Sequence, residues 1–340
     1  MLRLFGGLLV VLVADLLAVT VLSLDTQSST VDTHVAAAKT AAGKDHVALF
    51  DRLCAAPPPR GAEPPPAASA PAPPRASEPP ARDPWHVEPV KVFDNLYFVG
   101  EKEYSAWAVT TSEGIILIDA IFHYSVDEQV VQGLTKLGLD PKTIKYVIIS
   151  HAHSDHAAGA KHLQDRFGSR IILSEADWAL MDRDRASWPK PKKDMVATDG
   201  QRLTLGDTTL TLYLTPGHTL GTISTIVPVR DNGTPHVAAA WGGTAFNWQS
   251  GSAAYISPDR PAKFWFDTYI ASAQRFRSIV RDRGADVLIA NHTNFDESKR
   301  KLPLLATRRP ADPHPYVIGT DAVQRYLTVA EECAKAAAVR

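Results

Sequence analysis

Tyr146-Val147-Ile148-Ile149-Ser150-His151-Ala152-His153-Ser154-Asp155-His156 runs from an apolar strand straight into three imidazoles and a carboxylate. Imidazole together with carboxylate suits zinc, and sometimes iron or manganese. His151 and His153 lie two apart, so extended backbone aims both at one point. Asp155 and His156 fall in the first turn of the helix that follows, where the chain bends and aims at a neighbouring point. Four ligands in one turn of chain are too many for a single closed structural site. They point to an open, binuclear catalytic centre.

Outward from that loop the punctuation is regular. Upstream, Leu96–Val99, Ala106–Thr111 and Gly114–Asp119 read as strands, followed by an amphipathic helix over Val126–Leu137. Downstream, a helix is expected over Asp155–Phe167, capped by Ser154 and stopped by Gly168. A strand at Arg170–Leu173, a short helix at Glu175–Met181 and a polar loop over Asp182–Asp194 follow. Strands are expected at Arg202–Leu205, Thr208–Thr215, Thr222–Val229, His236–Trp241 and Asp286–Ala290, with helices at Pro261–Asp282 and Asp321–Ala338. The elements mix without strict alternation, an α/β chain of the α+β kind that suits two sheets with helices packed outside them.

The N-terminal quarter differs. Leu4–Leu24 is apolar behind Arg3 and reads as a signal sequence or membrane anchor over residues 1–24. Asp15 interrupts it, at a cost of roughly 3 kcal/mol at mid-bilayer, and no small-x-small cleavage site follows; a buried helix or an early start codon is the alternative. Residues 25–54 form a helical segment, with apolar spacing through Val35, Ala38, Val47, Phe50 and Leu53. Residues 55–84 are a Pro/Ala-rich linker, with 12 prolines between Pro57 and Pro84, a density that denies both helix and sheet. The folded domain is expected over residues 85–340, exported to the periplasm or outside, or anchored facing outward. The 36 basic and 37 acidic side chains nearly cancel, which leaves no basic field for nucleic acid. Only two cysteines occur, Cys54 and Cys333, both far from the histidine loop, which excludes a thiolate-rich zinc site. They permit one disulfide in an exported chain, and the sequence alone does not show that they meet.

Two further histidines follow apolar strands: His218 in Thr215-Pro216-Gly217-His218-Thr219, and His292 after Val287-Leu288-Ile289-Ala290-Asn291. Taken singly, each reads as a polar loop residue; beside a four-ligand cluster both become candidates. The order His-x-His-x-Asp-His, Gly-His-Thr, Gly-Gly and a late His resembles the metallo-β-lactamase superfamily over about Val90 to Leu302. Ile116-Leu117-Ile118-Asp119 matches the strand whose aspartate supports the metal loop in that family. The resemblance implies an αββα sandwich with two Zn2+ ions at one edge of the paired sheets. It would give His151, His153 and His218 to the first zinc, and Asp155, His156 and His292 to the second. Three ligands per metal leave room for a bridging hydroxide and substrate.

Departures separate the branches of the family. Flavodiiron proteins carry glutamate where this chain has His153. Glyoxalase-type thioesterases, many homoserine-lactone lactonases and tRNA-processing nucleases place a bridging aspartate where this chain has Gly243, in Trp241-Gly242-Gly243-Thr244. The commonest β-lactamase subclass places a zinc-binding cysteine where this chain has Thr244. The chain is most similar to the β-lactamase subclass whose second zinc uses Asp-His-His, which Gly138-Leu139-Asp140-Pro141 also resembles. The resemblance therefore implies a zinc hydrolase of small molecules that opens a β-lactam ring by attack of the bridging hydroxide. Asp155 would orient that hydroxide, Asp119 would support the ligands, and Thr244 would line the pocket. A lactonase or another ester or thioester hydrolase is the alternative, and a non-catalytic anchored binding module the third reading. His123 and Tyr124 read equally as rim or ordinary loop residues; Phe246, Trp248 and Tyr255 read as core or surface first and substrate wall second. His34, His46, His86, His162, His236 and His314 read as non-ligands.

Overall fold

The computed structural model describes residues 30–54, 80–250 and 255–340. The apolar run Leu4–Leu24 and most of the proline-rich linker lie outside them. Among the described residues no helix is long and apolar enough to cross a membrane.

Among the described residues, twelve strands pair into two sheets. The first holds β1 (Val90–Lys91), β2 (Leu96–Phe98), β3 (Trp107–Thr111), β4 (Gly114–Ile118), β5 (Ile144–Ile148), β6 (Arg170–Ser174) and β7 (Met195–Ala197), side by side in that order. The second holds β8 (Gln201–Leu205), β9 (Thr208–Leu214), β10 (Ile223–Asp231), β11 (Thr234–Trp241) and β12 (Val287–Ala290), ordered β12-β11-β10-β9-β8. β4, β5, β6 and β7 run parallel and β1 to β4 antiparallel.

Strand alternation explains the layers. Trp107, Val109, Ile116, Ile118 and Ile148 turn to one face, where they meet Leu210, Leu212, Val227, Val229, Ala238, Val287 and Ile289 of the other sheet. Intervening residues face outward. Ala108, Ile115, Leu117 and Val147 pack under the helices of the first layer, and Ile226, Ala239, Trp241 and Leu288 under those of the second. The result is an αββα sandwich, as the sequence pattern and the resemblance implied.

The N-terminal helical segment is two helices, not one run: α1 over residues 30–42 and α2 (Val47–Leu53). Gly43, at φ 53°, makes the turn between them. Leu49, Leu53 and Ala38 share a core with Val323, Leu327 and Ala330. The first layer then supplies α3 (Gly133–Lys136, continuing a wider turn over Asp127–Gln132), α4 (Ser154–Ala157), α5 (Ala160–Phe167) and α6 (Glu175–Arg183). The second supplies α7 (Ala262–Asp282), while α8 (Ser298–Thr307) precedes α9 (Thr320–Ala338). α8 was not expected from sequence: it is short, basic and carries Pro303, so it shows no clear helical period.

The single helix expected over Asp155–Phe167 is broken into α4 and α5. Gly159 sends its N–H to Ile121 O at 2.9 Å rather than into a helix. Its Cβ position lies 2.1 Å from Ala120 O, so the two chain segments touch there through backbone. Ser154 is the first residue of α4 and not its cap; His153, extended at ψ 152°, holds the cap position without a side-chain bond. That extension keeps the His153 ring facing the cluster.

Candidate metal centre

β5 ends at the edge of the sandwich, and the chain leaves it under restraint. Asp119 follows β4 at φ 61° and Ile121 at φ 50°, a left-handed turn that β-branched residues rarely adopt. The turn aims the Asp119 carboxylate at the next strand. Oδ1 accepts Ser150 N–H at 2.7 Å, and Oδ2 accepts the Ser150 hydroxyl at 2.9 Å. His151 therefore leaves a fixed anchor.

His151, His153 and His218 converge. His218 Nε2 lies 3.1 Å from His151 Nε2 and 3.1 Å from His153 Nδ1. The far nitrogens explain why. His151 Nδ1 is 2.8 Å from Gly242 O, and His218 Nδ1 is 2.8 Å from Ala245 O. A carbonyl only accepts, so each Nδ1 carries the proton and both Nε2 lone pairs point inward. Two lone pairs 3.1 Å apart repel unless a cation lies between them. Nitrogens around a tetrahedral zinc, at Zn–N of ~2.0–2.1 Å, sit roughly 3.3 Å apart. The donor set fits a divalent ion.

Asp155, His156 and His292 form a second triangle. His156 Nε2 is 3.2 Å from Asp155 Oδ2 and 3.3 Å from His292 Nε2, and His292 Nε2 is 3.6 Å from Asp155 Oδ2. On its far side His156 Nδ1 is 3.0 Å from Asp119 Oδ2, so Asp119 touches both Ser150 and a candidate ligand. Ligand atoms of His151, Asp155 and His156 also lie within 4.8 Å of one another, so the two clusters adjoin.

Burial is the main cause of the charge pattern. It pushes His151 and His218 well below the usual imidazole range, His153 down to about 4 and His292 down to about 3. These four are neutral and available as ligands. Burial also opposes charge on His156, but Asp155 and Asp119 outweigh it and push that ring up to about 10. For Asp155 burial is outweighed by His156, His292 and His153, which hold its carboxyl well below the ordinary value. The field around His156 thus favours a positive charge, which a bound divalent ion would supply.

Several supporting residues gave no sequence signal. Asp177, at 1% exposure, accepts Ala152 N–H at 2.9 Å, Thr219 O–H at 2.8 Å and Gly221 N–H at 2.9 Å. It ties the histidine loop to the turn bearing His218. Burial pushes its carboxyl up to about 6 against those three bonds. Asn291 Nδ2 donates to Gly242 O at 2.9 Å, joining β12 to the same carbonyl that His151 uses. Nothing local marks either residue, because their partners lie far along the chain.

Tyr255 Oη lies 2.7 Å from His153 Nε2, so this ring orients a candidate ligand. Phe246 and Trp248 are core residues, packed among Trp265, Phe266 and Tyr269; no wall for substrate comes from them. Thr244 is buried, lies 3.3 Å from Tyr326 Oη and lines a cavity of about 290 Å³ with Arg52, Glu103, Tyr104 and the histidines 151, 218 and 292. A larger cavity of about 510 Å³ between β1 and α8 holds none of the candidate ligands. His123 is exposed and Tyr124 stacks on Phe122. The remaining histidines are engaged elsewhere: His34 with Glu332, His46 with Ala322 O, His86 with Glu88, His162 near Asp127, His236 with Asp286 and His314 with Val92 O.

Residues 99–231 match the family model described as the metallo-beta-lactamase superfamily. The structure is similar to that of BJP-1, a subclass B3 metallo-beta-lactamase of Bradyrhizobium japonicum, with 25% identity and a TM-score of 0.61 over 72% of this chain and 91% of that one. The sequence is similar to a hydroxyacylglutathione hydrolase of Acidiphilium cryptum, 34% identical over 104 residues, 31% of this chain and 36% of that protein. It is also similar to the N-acyl homoserine lactonase AttM of Azorhizobium caulinodans, 27% identical over 191 residues, 52% of this chain and 69% of the relative. The match spans about a third of the length of the hydroxyacylglutathione hydrolases.

Proposed function

We propose that this chain, a member of the metallo-β-lactamase superfamily, is a zinc-dependent hydrolase that opens the strained amide of a β-lactam ring. Gly243 is the observation that carries the choice of substrate. A Cβ at that position would lie 2.4 Å from His218 Cβ. Any side chain there, including a bridging carboxylate of the kind expected in thioesterases and lactonases, would displace a candidate ligand. The pocket is therefore built around a donor set of five imidazoles and one carboxylate.

Bound in the two triangles, zinc ions would supply Lewis acidity and a water of lowered pKa. The chain's own residues do the positioning. Asp155, ionised beside His156 and His292, would accept a hydrogen bond from the attacking water and orient it. Asp119 fixes Ser150 and His156 together, and the Gly242 and Ala245 carbonyls hold His151 and His218 in the tautomer that offers Nε2. Thr244 lines the pocket wall.

A lactone or thioester hydrolase is the second reading, favoured by the similarity to the lactonase and the hydroxyacylglutathione hydrolase. Export is supported by the disulfide between Cys54 and Cys333, since such bonds persist in oxidising compartments. The run Leu4–Leu24 would be the export signal or an anchor. A turnover panel of β-lactams, lactones and thioesters decides between the substrates. Turnover of a carbapenem or cephalosporin is expected; lactone or thioester turnover without lactam turnover would replace the first reading by the second.

A further inference from the structure

Among the described residues, the cavity that exposes His151, His218 and His292 is lined by one cationic side chain, and it belongs to neither sheet. It is Arg52, on α2 of the N-terminal segment. Its guanidinium makes no hydrogen bond or ion pair among the described residues, and it lines the same cavity as His292, Thr244 and Tyr104. Glu103, the acidic residue on the same rim, is already paired with Lys299. An unpaired guanidinium on the wall of the cavity that exposes the candidate ligands is a ready partner for an anion.

The position of Arg52 is not left to a loose terminus. Two residues on, Cys54 is joined to Cys333 of α9, and Arg340 Nη2 donates to Cys54 O at 2.9 Å. Leu49 and Leu53 are buried against α9. His46 Nε2 lies 2.7 Å from Ala322 O, and Arg325 Nη1 donates to Ala41 O at 2.9 Å while its other nitrogen pairs with Asp45. This clamp holds the last turn of α2 over the pocket, so binding needs to order the Arg52 side chain but not its backbone.

We propose that Arg52 receives the anionic end of the substrate, which makes the N-terminal helical segment part of the active site. The ligand class is a small molecule with a carboxylate set a few atoms from the reacting carbonyl. A guanidinium presents paired N–H donors that match a carboxylate and discriminate it from an ester. The proposal rests on the hydrolase reading for the reacting bond alone; the anion site is a statement about the pocket.

The test uses the zinc-loaded full chain and two probes, 3-mercaptopropionate and its methyl ester, with dissociation constants measured by calorimetry. Thiolate sulfur takes the metal in both, and only the acid offers an anion to Arg52. Wild type is expected to bind the acid roughly tenfold more tightly than the ester, a modest figure because the guanidinium is solvent-exposed. Arg52→Ala should bring the two within about twofold by weakening the acid alone, and Arg52→Lys should restore part of the preference, since it keeps the charge and loses the fork. An equal preference in wild type and Arg52→Ala, or no preference in wild type, overturns the proposal. In turnover of a carboxylate-bearing lactam, the loss should fall on KM rather than kcat. Absence of lactam turnover with the probe result intact would sink the β-lactam reading and leave Arg52 standing; lactam turnover with an indifferent Arg52→Ala would do the reverse.

Discussion

At the scale of single residues, His151, His153, Asp155 and His156 were legible because they crowd the end of one strand and the first turn after it, while His218 and His292 became candidates only beside that cluster. Asp119 and Thr244 were legible only through the family resemblance. Phe246 and Trp248 were not placed by their own identity, since an aromatic beside a pocket and an aromatic in a core look alike in sequence. Glu101 escaped entirely. It is 1% exposed, accepts a hydrogen bond from Ser125, and is pushed up to about 7 by burial, which outweighs that bond, with Asp155 adding repulsion. A folded-state value above the ordinary 4.5 means that the native protein holds this proton more tightly than the unfolded chain. Its stabilisation is complete below about pH 4.5 and is lost as pH rises through about 7. In metal-free protein, raising the pH from about 5 to 8 should cost wild type up to about 3 kcal/mol relative to Glu101→Gln. Urea midpoints at the two pH values measure it; parallel behaviour of the two proteins would remove Glu101 as the cause.

At the scale of elements, the strand positions followed from period-two alternation, and the differences have local causes. The Asp155–Phe167 helix is split because the Gly159 N–H goes to Ile121 O, a tertiary contact that no helix periodicity encodes. The connection between the histidine loop and the Gly217-His218-Thr219 turn also stayed hidden, because it runs through Asp177 on α6. Asp177 is not one of the candidate ligands; it holds the two segments that bear them at a fixed distance through three hydrogen bonds. Asp177→Ala should weaken zinc binding by about 10–100-fold, the usual effect of removing a group that orients ligands. Competition with a chromogenic chelator reads this directly. An unchanged zinc affinity in a folded Asp177→Ala protein would show that the loop and turn keep their spacing without it.

At the scale of the whole molecule, the two-sheet sandwich was readable from composition, spacing and family resemblance together. The reach of the N-terminal segment was not. Residues 30–54 read as a helical piece set off by a proline-rich stretch, yet they share a core with α9 and are tied to it by Cys54–Cys333. Sequence cannot pair cysteines 279 residues apart, and so it could not bring Arg52 to the pocket either. The central claim concerns what the two adjoining triangles hold, and equilibrium zinc titration of wild type and His292→Ala, followed by metal analysis after gel filtration, tests it most directly. Two zinc ions per wild-type chain and one per His292→Ala chain, retained at His151, His153 and His218, are expected. One ion or none in wild type, or two undiminished in His292→Ala, would contradict the binuclear centre.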